Sequence, residues 1–394
     1  MRPPARWPLH PAPLEGEALS SWLRRIAASY DMSVASLLEH GLGDTHTTEQ
    51  DLDLDPAQQL LVALAERTGI DPTRTRGMSL AGWTPWLVDS IEATPTAFDT
   101  YVHQFSVLLK PGKKSKHHVG PWRAWIADQP VQRACPVCLA DPDRQGMLLM
   151  WRLPLLRSCP EHGCLLEPCL GLPGTLIWPG DNQRPRDATA TVQAMDHRTH
   201  QGMTTGRVQL PRRPVHAAVW FRLLRTLLDE LSTPATYWGS HTDDLHLAWA
   251  SSGHPVRAGQ ATWRPFEAFA WPVQAQLLDA AAAALDLLPS DNLTCRGEQA
   301  SLFTPAPDLP VGDGRPPKPM PLRPDPWASA RVALEEALEA ARHDPAEAQA
   351  LYNLLLTGSH ATHAAERVLA DLAELGIPTQ ALSHKQTNWT VRGI

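Results

Sequence analysis

The sequence predicts a mainly α-helical protein, with helix-turn-helix units near the N-terminus, a small module around a cysteine and histidine cluster, and a C-terminal helical domain. Three observations lead to this prediction. Apolar residues recur at helical spacing in several stretches of the chain. The 38 prolines divide those stretches into short elements. Five of the six cysteines lie close together, between residues 135 and 169.

The bulk composition indicates a soluble globular protein. The 394 residues leave room for two or three domains, 43% of them are apolar, 20% are charged, and the net charge is -7. No run of about 18 apolar residues occurs and the N-terminal stretch lacks an apolar segment, so neither a membrane span nor a secretory signal is expected. Clustered thiols without a disulfide framework are typical of a reducing cytoplasm, which is the predicted location.

Capping residues and helical spacing predict two helix-turn-helix units in the first hundred residues. Residues 17–42 fit two short helices, with Ser33 as the cap of the second. Asp55-Pro56 is a favourable start for a further helix, which Thr68-Gly69 would end. Asp71-Pro72 then starts another short turn. These elements predict a small helical domain.

The rest of the chain alternates between helical patterns and proline-rich stretches. Residues 171–206 are rich in proline, glycine and threonine and are predicted to be irregular or short-stranded, while 304–326 is dense in proline and is predicted to be an extended linker. Helical patterns lie at 214–231, 271–288, 327–342, 346–356 and 363–375. The predicted segments are an N-terminal helical domain (1–128), a metal-binding module (129–172), a mixed, mainly helical region (173–303), the linker (304–326) and a C-terminal helical segment (327–394).

Two pairs of soft ligands form the strongest chemical signal. Cys135-Pro-Val-Cys138 and Cys159-Pro-Glu-His162 are separated by twenty residues. Each pair, on a tight turn, aims two donors at one point, and two such turns complete a tetrahedron around one zinc ion. Four protein ligands leave no open coordination position, so the pattern predicts one structural Zn2+ rather than a catalytic metal. A redox-active C-x-x-C pair and thiols buried in a core are the alternatives.

The other chemical signals are weaker. Cys164 is expected to pack beside the site, and the sequence leaves open whether Cys169 joins a metal site. The chain has no phosphate-loop, H-E-x-x-H or G-x-S-x-G pattern, so it is predicted to be a recognition protein rather than an enzyme.

Positive charge is concentrated in two stretches without acidic residues. Residues 100–127 contain the candidates for phosphate contact Lys110, Lys113, Lys114 and Lys116. Residues 197–228 contain six arginines. Arg24 and Arg25, in the first predicted helix, are further candidates for nucleic-acid contact. The alternatives are a solvated loop for the lysines, and a helical hairpin packed on the metal module for the opening helices.

Several short sequence motifs together resemble those of the TniQ family of transposition targeting proteins. The resemblance covers residues 13–170, and only the combination of these motifs in this order is specific to the family. The motifs are Pro13-Leu14, then Leu-Ser-Ser-Trp-Leu-Arg-Arg-Ile-Ala at 19–27, Thr-Gly-Ile-Asp at 68–71, Met-Ser-Leu at 78–80, Cys-Pro-Val-Cys-Leu at 135–139, Trp-Arg-Leu at 151–153 and Cys-Pro-Glu-His-Gly-Cys-Leu-Leu at 159–166. Many relatives carry a further C-x-x-C after the motif that contains the histidine, whereas here Cys169 is followed by Leu170-Gly171-Leu172.

The resemblance implies a bacterial adaptor encoded by a mobile element, which acts on the nucleoid when it is bound at its target. Such an adaptor recognises target DNA, directly or through an RNA-guided DNA-binding complex, and recruits an AAA+ transposition ATPase. A homodimer is one arrangement that the sequence leaves open. The alternative hypothesis is a zinc-containing, sequence-specific DNA-binding regulator without a transposition role, and a zinc hydrolase is disfavoured by the complete ligand set.

Overall fold

Fourteen α-helices and two small two-stranded sheets make up the described part of the chain, which confirms the mainly α prediction. The computed structural model describes residues 6–110, 117–141, 144, 146–169, 184–290, 292–294, 296–305, 326–356, 364–380 and 382. It divides into two compact units, Met1–Pro307 and Asp308–Ile394. The division into five segments stays a prediction, and most of the predicted linker lies outside the described residues.

The first two helices form as the sequence predicts. They are α1 (Leu19–Ala28) and α2 (Val34–Leu42), and the chain turns between them at Asp31, whose φ is 54°. The Ser33 side chain accepts a hydrogen bond from the Ser36 amide and caps α2. Trp22 and its apolar neighbours on α1 are fully buried in the core of this helical region.

The start predicted at Asp55-Pro56 is wrong. A short helix, α3 (Glu49–Leu54), precedes this point and ends at Asp55. Thr48 and Asp51 form a reciprocal capping box that fixes the start of α3, so Asp55 terminates one helix instead of starting the next. The following helix is α4 (Gln58–Thr68), which ends at left-handed Gly69 as predicted, and α5 (Pro72–Arg76) is capped by Asp71.

The middle of the chain combines the metal-binding segment with four longer helices. The helix predicted at 214–231 begins as strand and becomes helical only at Ala217, whereas the one predicted at 271–288 forms at that place. The elements are β1 (Arg133–Ala134), α6 (Pro136–Ala140), α7 (Leu149–Arg152), β2 (Glu167–Pro168), α8 (Ala190–Thr205), β3 (Arg207–Gln209), β4 (Pro214–His216), α9 (Ala217–Ser232), α10 (Thr242–Ser251) and α11 (Trp271–Leu287).

Helix α8 contradicts the irregular structure predicted for 171–206 over residues 190–205, while residues 171–183 lie outside the described part of the chain. The Thr189 side chain caps it, and it ends at left-handed Gly206. The inward face of α8 includes Asp196, Thr199 and Gly202, which are buried although none is apolar in the usual sense. Its hydrophobic periodicity is therefore weak, and packing against α11 rather than the sequence pattern defines the helix.

The second unit contains three helices around a small core. They are α12 (Pro326–His343), α13 (Pro345–Leu356) and α14 (Ala364–Glu374), close to the predicted stretches. Ala341, Ala348, Tyr352 and Leu372 are buried in its core. No helix in the described part of the chain is sufficiently long and apolar to cross a membrane.

Candidate metal centre

The first turn of the centre follows directly from its local sequence. Cys135 is the N-cap of α6, and Pro136 occupies the first helical position. The Cys138 amide donates to the Cys135 sulfur at 3.4 Å. A cap that is itself a ligand brings the first two sulfurs to one side of a single helical turn.

The second turn is a tight hairpin. The Cys159 amide donates to the Cys164 carbonyl at 2.8 Å, and the Gly163 amide donates to the Cys159 carbonyl at 2.8 Å. Gly163 has a φ of 65°, a left-handed conformation that residues with a Cβ rarely adopt. The turn therefore holds Cys159 and His162 on the same side of the hairpin.

A two-stranded sheet joins the two turns. β1 immediately precedes Cys135, and it pairs antiparallel with β2, so that Ala134 lies opposite Glu167. β2 closely follows the hairpin that carries the second pair of ligands. Pairing of only two residues in each strand is therefore sufficient to place the second ligand pair against the first.

The four predicted ligands meet within one coordination sphere. Their donor atoms all lie within 4.8 Å of one another, and the three cysteines are buried while His162 is exposed. The Cys138 sulfur lies 3.7 Å from the Cys159 sulfur and 3.2 Å from Nδ1 of His162. Nδ1 also lies 3.6 Å from the sulfurs of Cys135 and Cys159.

These distances fit the edges of a metal tetrahedron. Bond lengths of about 2.3 Å to sulfur and about 2.0 Å to nitrogen give edges of about 3.8 Å between sulfurs and about 3.5 Å between sulfur and nitrogen. The observed distances of 3.7 Å, 3.2 Å and 3.6 Å agree with these edges. The group could therefore hold one metal ion, with His162 coordinating through Nδ1.

The close approach of the thiols shifts their pKa values in opposite directions. Hydrogen bonds from Cys138 and Cys159 lower the pKa of Cys135 to about 2, and the bond between Cys138 and Cys135 raises the pKa of Cys138. Metal ligation requires deprotonated thiols, so a divalent cation bound here would displace the thiol protons.

The remaining cysteines lie outside the four-atom group. The Cys164 sulfur is 3.5 Å from the Cys135 sulfur, and burial raises the pKa of Cys164 to about 12, so this thiol keeps its proton. The Cys169 thiol donates instead to the Gln132 carbonyl at 3.8 Å. Cys295 is outside the described residues.

Helix α8 supports the second turn through a buried carboxylate. Asp196 is fully buried and accepts hydrogen bonds from the Ser158 amide and hydroxyl, both at 2.6 Å, and from the Arg157 amide at 3.2 Å. Burial raises the pKa of Asp196 to about 7. Ser158 directly precedes Cys159, so α8 fixes the backbone from which the third ligand extends.

We expect Asp196→Ala to destabilise the protein and weaken metal retention. The two buried donors of Ser158 and the part-buried Arg157 amide would lose their acceptor, and each unpaired buried donor costs about 1–3 kcal/mol. The loss should reach about 3 kcal/mol in urea unfolding, with Asp196→Asn in between, because an amide oxygen still accepts. Asp187→Ala, at an exposed position, is the control. Equal stability of the Asp196→Ala and Asp187→Ala proteins would contradict this role.

Arg133 connects the first turn to the segment that leads into the second. It is 1% exposed, and its guanidinium donates to the carbonyls of Leu156 at 2.7 Å and Leu153 at 2.6 Å. The same group lies 3.7 Å from the ring centre of Trp271 at the start of α11. Sequence analysis missed Arg133 and Asp196, because their partners are distant in sequence and no local pattern indicates them.

The opening helix packs directly on this module. The Ala18 amide donates to the Met147 carbonyl at 2.9 Å, and the Met147 amide donates to the Ser21 hydroxyl at 2.9 Å. Arg152 donates to the Ser20 hydroxyl at 2.6 Å and forms an ion pair with Asp53. The Ser-Ser-Trp motif of α1 and the Trp-Arg-Leu motif of the module thus contact each other. This agrees with the interpretation of the opening helices as a hairpin packed on the module.

Three of the six candidate nucleic-acid contacts, Arg24, Arg25 and Lys110, lie among the described residues. Arg25 makes an ion pair with buried Glu17 at 2.7 Å, so its charge is already partnered, while Arg24 acts electrostatically on buried Asp53. Lys110 is described, but Lys113, Lys114 and Lys116 lie outside the described residues. A nucleic-acid role for these six residues stays a prediction.

The fold and the site define a mainly α-helical protein with a Cys3His group that could hold one metal ion. Residues 8–166 match the model of the TniQ family. This match confirms the resemblance, and it spans the opening helix and all four ligands. A match to the TniQ family implies a transposition-related role in target selection. No curated protein and no solved structure matches the chain.

Proposed function

We propose that this protein is the target-selection adaptor of a bacterial transposon. It links target DNA, or an RNA-guided DNA-binding complex, to an AAA+ transposition ATPase in the cytoplasm. The observation that carries the proposal is the family match over 8–166. Sequence motifs that lie far apart within this range contact each other where α1 packs on the metal module. Because Ser20, Ser21 and Met147 are buried in this contact, it fixes how α1 and the metal module lie against each other.

The metal in this proposal is one structural Zn2+. Three thiolates and one imidazole are a donor set typical of structural zinc, and the distances between donors agree with its bond lengths. With four protein ligands no position remains for water or substrate, so the ion stabilises the fold and does not activate a reactant. The protein is accordingly proposed to be an adaptor and not an enzyme.

Capture of the transposition ATPase tests the proposal. Tagged full-length protein should retain the AAA+ ATPase encoded by the same element, in the presence of ATP. Capture should be lost with Cys159→Ser, because the module no longer supports α1, and kept with Cys169→Ser, whose side chain lies outside the ligand group. If the unmodified protein fails to capture the ATPase while it binds one DNA sequence specifically, the alternative of a DNA-binding regulator is correct.

A further inference from the structure

A short hairpin after α8 presents one polar face to solvent. β3 and β4 pair antiparallel, with Arg207 opposite His216 and Gln209 opposite Pro214. In both strands the middle residue, Val208 or Val215, is buried and its neighbours are exposed. Because alternate residues of a strand share a face, the register places Arg207 and His216 side by side on the outer face.

Among the described residues, no carboxylate neutralises the positive charge of this hairpin. Arg207, Arg212 and Arg213 are exposed, and across the described ranges no acidic side chain lies within ion-pair distance of them. Arg212 donates to the Pro305 carbonyl at 3.2 Å, which fixes its position without cancelling its charge. The hairpin lies inside the stretch 197–228, which contains no acidic residue.

An aromatic side chain extends the same surface. Trp86 is 44% exposed, and its ring centre lies 5.4 Å from that of His216 in an edge-on arrangement. His216 accepts a hydrogen bond from the Ala218 amide through Nδ1 and so caps α9. In the neutral ring the proton is therefore on Nε2, which adds a donor to the surface. The position of His216 is fixed by the helix that it caps.

Neighbouring charges distinguish this surface from the adjoining helix. Arg222, on α9, makes an ion pair with Asp89, so its charge is already used within the fold. Arg198, on α8, interacts electrostatically with the carboxylate of Asp286. The hairpin arginines lack such partners among the described residues, and unpartnered guanidinium groups on a fixed scaffold fit a polyanion.

We propose that the β3–β4 hairpin, with Arg207 and His216 on its outer face, exposed Arg213 in the turn between its strands and neighbouring Trp86, binds the phosphate backbone of duplex DNA. Guanidinium groups contact phosphates without reading base sequence, so the hairpin contributes affinity and orientation rather than sequence choice. The choice of DNA as the polyanion rests on the proposed function. The location of the contact surface rests on the hairpin geometry alone.

Binding to a short duplex of arbitrary sequence, followed by fluorescence anisotropy across a salt series, tests this surface. Loss of two phosphate contacts in Arg207→Ala/Arg213→Ala should lower the slope of log K against log salt by about 1.8, since each contact contributes about 0.9. At about 0.1 M salt the affinity should fall by about tenfold or more. Arg207→Lys/Arg213→Lys, which keeps both charges, should retain most of the binding.

A matched control uses two exposed arginines elsewhere. Arg184→Ala/Arg367→Ala changes the net charge equally and should leave the slope unchanged. The proposal is wrong if both double variants behave alike, or if the hairpin variant binds the duplex normally and loses only single-stranded RNA or the ATPase. Weakened duplex binding together with failed ATPase capture by the unmodified protein would support the hairpin surface and refute the adaptor role.

Discussion

Cys159→Ser is expected to lower bound zinc from about one ion per chain to almost none and to unfold the metal-binding module. Structural zinc contributes about 10–16 kcal/mol of binding free energy in small peptides at neutral pH, and most of it depends on a complete ligand set. Cys135, Cys138 and Cys159 belong to the same core cluster as Trp220 and α11, so loss of the ion should affect most of the first unit. Metal analysis and thermal denaturation measure the two effects.

Cys169→Ser is the matched control for this experiment. Cys169 is also buried and also close to β1, yet its thiol bonds to the Gln132 carbonyl, which a serine hydroxyl can replace. This variant should keep its zinc and a melting temperature close to that of the unmodified protein. A chelator should lower the melting temperature of both the control and the unmodified protein. Removal of the ion without any change in melting would refute the structural role of the metal.

The ligands could be predicted from the sequence because their chemistry is local. A C-x-x-C pair and a C-x-x-H pair each fit one turn, so spacing alone indicates that their donors converge. The caps of α2 and α5 are local for the same reason: Ser33 and Asp71 bond to amides two or three residues away. Both the centre and most helices in the first hundred residues follow from such short-range rules.

The structures that the sequence did not predict depend on distant contacts. Helix α8 buries Thr199 and Gly202, and its inward carboxylate Asp196 bonds to a segment 38 residues earlier in the chain. A stripe of this kind has weak hydrophobic periodicity, so composition suggested irregular structure instead. The charged hairpin was recognisable only as a stretch without acids, because exposure and the register of its residues emerge from strand pairing.

Glu267→Ala is expected to cost about 3–5 kcal/mol of folding free energy, as breaking one half of a buried ion pair does. Glu267 and Arg225 are 1% and 0% exposed, and they form two parallel bonds of 2.9 Å. The same carboxylate accepts from the Trp122 indole at 2.8 Å and the Trp125 amide at 3.1 Å. Removal leaves a buried cation and two unpaired donors, which urea denaturation should detect.

Glu298→Ala, an exposed carboxylate, should change the free energy of unfolding by less than about 0.5 kcal/mol and serves as the control. Arg225→Met/Glu267→Gln should recover part of the loss, because the unpaired charge is gone. A cost below about 1 kcal/mol for Glu267→Ala would show that water reaches the pair.

Glu267→Ala should also affect DNA binding by the lysine segment, residues 110–116, if that segment contacts phosphates. Trp122 lies just after this segment, and Val107 and Leu108, just before it, donate their amides to buried Glu230 at 3.0 Å and 2.7 Å. Buried carboxylates therefore hold the chain on both sides of the predicted phosphate contacts. If those lysines bind DNA, Glu267→Ala should weaken duplex binding even where the protein remains folded, whereas Glu298→Ala should not.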